Sequence, residues 1–244
     1  MYSPERTNWW VERTKLKGHQ EAYDHIADSI GGGKIILDIG CGTGEVLARA
    51  YKANNGRTYV GTDATEEMIA IAKDNFEMGG IPFEVRDSLR YSGLERKTYL
   101  IKDDIAKSRI PDEFSDLTIY SFAETFSDNP SKKENDKMRL AFFREFWGML
   151  LPDDPLVGKL VCLRRVVKKT KVGGRVIITE YDVRTTEKRE EETMQDYGRI
   201  SRFSGLKLTS GRFFESEEVW DDTGGVLRGG ETPGYRIFKT RREK

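Results

Sequence analysis

Short apolar runs alternate with longer amphipathic stretches through most of this chain, and the two periods mark out its elements. Lys34–Ile39 is apolar and β-branched over too few residues for a helix, so it reads as a buried parallel strand. Further strands are predicted near 57–62, 98–103, 116–122 and 174–181, with helical patterns between them. Residues 15–30 carry Leu16, Tyr23, Ile26 and Ile30 on one stripe, as an amphipathic helix does. Leu206–Phe214 and Tyr235–Lys239 are expected to close the sheet as a terminal hairpin. Strand and helix in alternation imply a parallel sheet with right-handed crossovers. The 244 residues suit one α/β domain over 1–244 with decorations rather than two full domains.

What joins the first strand to the first helical pattern carries the chemistry. Gly40, Gly42 and Gly44 let the backbone turn sharply and approach a ligand that side chains would hold off. Glu45-Val46-Leu47-Ala48 then opens a helix whose free N–H groups face polar ligand atoms. A dinucleotide fingerprint would need a third glycine where Glu45 stands, and no Gly-Lys-Ser/Thr closes the turn as in a phosphate loop. Asp63 ends the run Thr58–Asp63 roughly twenty residues past the loop, where a second strand delivers a carboxylate to ribose hydroxyls. Thr65 then stands as N-cap of a helix beginning at Glu66.

Asp38-Ile39-Gly40-Cys41-Gly42-Thr43-Gly44 resembles at every position the E/D-x-G-x-G-x-G motif of the class I S-adenosylmethionine (SAM)-dependent methyltransferases. A later stretch, Lys102-Asp103-Asp104-Ile105 running to Phe114-Ser115-Asp116-Leu117, resembles that family's G-D-A…F-D-x-V segment, with the usual separation between Asp104 and Asp116. Leu160–Ile178 resembles its helix, Gly-Gly turn and strand, with Val172 in place of proline. The resemblance covers residues 34–182. It implies a doubly wound, mostly parallel seven-stranded sheet with an antiparallel C-terminal strand. It implies SAM as cofactor and S-adenosyl-L-homocysteine (SAH) as product. It places Asp38, Gly40, Cys41, Gly42 and Gly44 around the methionine and ribose, Asp63 on the ribose hydroxyls, Ala64 and Met68 along the adenosine, and Asp104 with Ile105 at adenine. Asp87, after Phe83-Glu84-Val85-Arg86, is the competing acid for the adenine position.

Composition narrows the setting. Lys plus Arg and Asp plus Glu number 41 each, so the net charge is zero and the chain as a whole carries no nucleic-acid or membrane signature. Its two cysteines, Cys41 and Cys162, make neither a disulfide framework nor a zinc spacing, which points to a reducing, cytoplasmic setting and to no metal. No apolar run approaches the length of a membrane span, and no signal peptide is read.

Decorations choose the substrate in such a fold. Residues 1–33, with Trp9 and Trp10, are expected to form an N-terminal lid or to pack the outside of the core. Residues 125–157 are expected to form a helical insertion near the acceptor, aromatic at Phe142, Phe143, Phe146 and Trp147. A general base is needed only for an acceptor protonated at neutral pH. Glu124, Tyr120 and Ser121, where the fourth strand ends, and His19 on the first helix are the candidates. The expected activity is methyl transfer to a small-molecule acceptor. The alternatives are an RNA or protein target, RNA docking on the basic face Lys159–Arg175, and a SAM-binding scaffold without turnover. Only Glu124 stands near the place where aminopropyl transfer would want a pair of acids.

Overall fold

The computed structural model describes residues 4–89, 94–122, 155–184, 201–216 and 232–243, with Glu191, Met194, Gln195, Tyr197, Gly198 and Glu218 between them. Two helices open the chain. Helix α1 (Pro4–Thr14) begins on a proline, whose missing N–H is one of the donors a first turn leaves unbonded anyway. Helix α2 (Lys17–Asp28) buries His19, Ala22, Tyr23 and Ile26 along one stripe. The helix predicted from residue 15 is therefore the second of a pair. The break falls where Lys15 and Leu16 donate three residues back, to Glu12 and Arg13, and Leu16 turns extended.

The sheet contains β1 (Ile35–Ile39), β2 (Thr58–Asp63), β3 (Phe83–Arg86), β4 (Thr98–Lys102), β5 (Ser115–Ser121), β6 (Thr170–Arg184), β7 (Leu206–Glu215) and β8 (Thr232–Arg242). Their order is β3-β4-β2-β1-β5-β6-β8-β7. Every described pairing is parallel except those of β8, which runs antiparallel to both β6 and β7. Among the described residues the sheet thus has eight strands, one more than the seven expected. Phe83–Arg86, the run that precedes the competing acid Asp87, is a short parallel edge strand beside β4.

Helices α3 (Glu45–Ala53) and α4 (Glu66–Met78) pack on one face together with α2, and α5 (Pro155–Lys169) on the other. Alternation along each strand divides the core accordingly. Ile36, Tyr59, Leu117, Ile119 and Ile177 meet α2, α3 and α4, whereas Leu37, Val60, Tyr120, Val176 and Ile178 meet Cys162, Leu163, Val166 and Val167 of α5. The chain leaves β1 toward β2 on one side and returns through β5 on the other. The carboxyl ends of β1 and β5 therefore flank the crevice where such sheets bind ligands.

Candidate cofactor and acceptor site

The glycine loop leaves β1 into that crevice. Gly40 and Cys41 donate their N–H groups to the Thr62 carbonyl at 2.8 and 2.9 Å, which clamps the loop to the end of β2. Gly44 caps α3 with φ at +79°, a conformation that L side chains rarely adopt. A Cβ there would stand 2.8 Å from the Phe76 ring, so α4 also requires the glycine. The outer side of the turn is open: a Cβ on Gly42 would meet nothing within 4 Å.

Asp63, at the end of β2, ties this loop to the next helix. Its two carboxylate oxygens accept the N–H of Gly42 at 3.1 Å and of Thr65 at 2.8 Å. Each oxygen keeps a further lone pair, enough for a ligand diol. Burial pushes the Asp63 carboxyl above the usual carboxylate range, and the Gly42 and Thr65 bonds pull against it. Asp38 sits on the same sheet face, opposite Gly61, and is only 3% exposed. Burial first, and the charge of Asp63 second, push its carboxyl up to about 7. Two poorly solvated carboxyls beside an open glycine turn make a site that favours a ligand carrying positive charge.

The other cofactor candidates lie around the same edge. Met68 is buried on α4 and Ala64 is exposed at the turn before it. The Cys41 side chain turns inward, so close to Gly61 that a Cβ there would lie 2.9 Å from its Sγ, leaving the backbone of Cys41 for the turn. Asp104 and Ile105 follow β4, the strand paired with β2, at the level of Asp63. Asp103 spends its carboxylate on the Arg109 N–H at 2.9 Å. Asp87 follows the edge strand β3, one strand farther from β2.

A second cluster closes the carboxyl ends of β5 and β6. Arg13 of α1 is 2% exposed, with its guanidinium 4.3 Å from the Trp9 ring, 5.3 Å from Trp10 and 5.1 Å from Tyr181. It donates to the Tyr181 hydroxyl at 2.9 Å and meets His19 Nε2 at 3.3 Å. His19 is fully buried, 5.3 Å from the ring of Phe122, the residue immediately after β5. A guanidinium can only donate, so Nε2 is the accepting nitrogen and Nδ1 carries the proton. That N–H has no partner, and neither has the indole N–H of Trp10. A buried donor left unpaired costs about 1–3 kcal/mol, so the cluster is costly as it stands.

These contacts revise the candidate bases. Burial and the Arg13 charge push His19 down to about 3, and its Nε2 lone pair faces the guanidinium, both of which oppose proton uptake there. Tyr120 belongs to the apolar cluster beneath α5, across the sheet from the rings around His19. Ser121 donates to Thr179 Oγ1 at 3.1 Å. Glu124 and residues 125–154 of the expected insertion lie outside the described residues. His25 pairs with the Tyr235 hydroxyl at 2.6 Å and stacks on Phe214 at 4.1 Å, tying α2 to the sheet.

Arg13 and Tyr181 are members of this cluster that sequence reasoning passed over. The spacing of Trp9 and Arg13, four residues apart on one helix, is the signal that could have found the first. The basic face Lys159–Arg175 is partly consumed by the fold. Lys169 donates to the Ile110 carbonyl and to Asp112, Lys171 pairs with Asp116, and Arg175 holds the carbonyls of Ile30 and Gly32. Among the described residues no helix is long and apolar enough to cross a membrane, and no three His, Cys, Asp or Glu gather as a metal site.

Residues 36–133 match the family model of a methyltransferase domain. No curated protein matches the chain. Solved structures share its fold at low identity. Magnesium protoporphyrin IX methyltransferase (ChlM) from Synechocystis with bound SAH is 12% identical and aligns over 98% of this chain and 95% of its own, at a TM-score of 0.57. The cyclase SpnF is 14% identical over 92% of this chain and 82% of its own, at 0.55. TYW2 from M. jannaschii in complex with AdoMet is 12% identical over 93% and 77%, at 0.54.

Proposed function

We propose that this chain, whose residues 36–133 match a methyltransferase domain and whose fold is shared by methyltransferase structures, is a class I SAM-dependent methyltransferase that acts on a small-molecule acceptor. The observation that carries the cofactor half of this reading is the clasp of Asp63 on Gly42 and Thr65. It presents a carboxylate with spare lone pairs beside an open glycine turn. Asp63 would hold the ribose hydroxyls, Gly40 to Gly44 would admit the methionine end, Met68 and Ala64 would line the adenosine, and Asp104 with the Ile105 backbone would meet adenine. Asp38 would supply negative charge toward the cationic end of the cofactor. Bound SAM supplies an electrophilic methyl group, ready for in-line attack by an acceptor atom.

The chain's own residues then have mainly to orient and enclose the acceptor, since positioning alone contributes much of the acceleration in such a transfer. The Trp9, Trp10, Arg13, His19, Phe122 and Tyr181 cluster supports a small acceptor. It stands one to two strands from β1, about 5–10 Å sideways at the spacing of neighbouring strands. In this reading residues 1–33 form the roof of the acceptor side, and Glu124, two residues past Phe122, remains the proposed polar contact or base. ChlM is a porphyrin methyltransferase by name, and the same kind of planar acceptor would suit half-buried rings such as Trp9 and Tyr181.

The test is methyl transfer from labelled SAM into separated small-molecule, RNA and protein fractions of a cell extract. Label in the small-molecule fraction is expected. Label confined to RNA or protein would overturn the acceptor class, and SAM binding without label in any fraction would favour the scaffold.

A further inference from the structure

The cluster at the carboxyl ends of β5 and β6 holds two buried N–H donors that the fold does not use. His19 Nδ1 and Trp10 Nε1 are both without an acceptor, and both flank Arg13. The proton on His19 Nδ1 follows from geometry, because the guanidinium occupies the lone pair on Nε2 at 3.3 Å. Arg13 is held against Trp9, Trp10 and Tyr181, so its charge stays close to both donors. Two unpaired N–H groups beside one guanidinium, among half-buried rings, are the donors that the two oxygens of a carboxylate would call for. A neutral amide could accept through only one oxygen and would gain little from the charge.

We infer that His19 and Trp10 form a receptor for a carboxylate group on the methyl acceptor, and that this receptor selects acidic aromatic molecules over their neutral counterparts. This rests on the acceptor side lying where the proposed function puts it. Anchoring the carboxylate here would fix which end of the acceptor turns toward the glycine loop. His19 and Trp10 are thus binding residues for the acceptor, and proton removal is left to another group.

The experiment has two arms. Calorimetry with SAH alone tests the cofactor reading, and its failure would leave the receptor to be judged on the second arm. In that arm saturation-transfer NMR compares benzoate, phenylacetate, cinnamate and indole-3-acetate with their primary amides, with 15N spectra of the His19 ring recorded alongside. At least one carboxylate is expected to bind ten-fold or more tightly than its amide and to shift the Nδ1 signal. His19→Phe and Trp10→Phe are each expected to abolish that preference. His19→Asn, whose amide nitrogen overlies Nδ1, should retain it, while His19→Gln, whose nitrogen overlies Nε2, should lose it. Thermal melts confirm that each variant is folded. Failure of every carboxylate to bind, equal affinity for acids and amides, or an unchanged preference in folded His19→Phe would overturn the receptor.

Discussion

Replacing Asp38 with Asn should leave the shape of the β1 terminus intact and remove one buried charge. In the wild-type protein this carboxyl is 3% exposed, faces Asp63, and is pushed from about 3.8 up to about 7. Between those two values the native state holds a proton that the unfolded chain has released, so stability falls as pH rises through that window. The penalty is absent below about pH 4 and complete above about pH 7. At about 1.4 kcal/mol per pH unit the gap amounts to roughly 4 kcal/mol at most, because Asp63 shares the titration. Urea unfolding of wild type and Asp38→Asn from pH 4.5 to 8 would read the difference. His19 also titrates against stability at low pH, but it is common to both proteins and cancels in the subtraction. The two curves should converge near the acid end, with the variant more stable by about 2–4 kcal/mol at pH 8. Parallel curves, or a variant less stable at pH 8, would refute the claim that Asp38 is held against its charge.

Asp63→Ala should weaken SAH binding about 10- to 150-fold, since bonds from ribose to a charged acceptor are worth about 1.5–3 kcal/mol. Calorimetry checks it, and less than a three-fold change in a folded variant would remove Asp63 from the site. Gly44→Ala should lower stability by about 1–3 kcal/mol, because the new Cβ meets the Phe76 ring at 2.8 Å and the backbone keeps φ at +79°. A thermal melt reads this, and an unchanged midpoint would mean that the loop and α4 shift apart at no cost.

Local chemistry explains what was legible in the sequence. Lys34–Ile39, the glycine turn and Asp63 lie within thirty residues of one another, and each obeys a short-range rule: a β-branched run, positive φ, an acid after a strand. The terminal hairpin was legible for the same reason, although β6 extends over Thr170–Arg184 and outruns the predicted 174–181. Phe83–Arg86 was ambiguous because four residues at a sheet edge need little apolar character; its exposed Val85 and the Glu84 pairs with Arg86 and Lys97 look like loop chemistry. The cluster proposed as the acceptor side was hidden by distance along the chain. Arg13 drew no reading from the sequence, because its partner Tyr181 stands 168 residues away. His19 reads as a base until Arg13 takes its lone pair. Tyr120 shows the converse error: its position at a strand end suggested a role in the crevice, while strand parity turns it toward α5.

The central claim is that the glycine turn and Asp63 form a working SAM site. The most direct measurement is calorimetric titration of the full chain with SAM and with SAH. Binding of both at micromolar concentration, one ligand per chain and weakened by Asp63→Ala, is the expected result. No heat with either ligand at millimolar concentration would contradict it, and would leave the chain with the fold of a methyltransferase and no cofactor to transfer from.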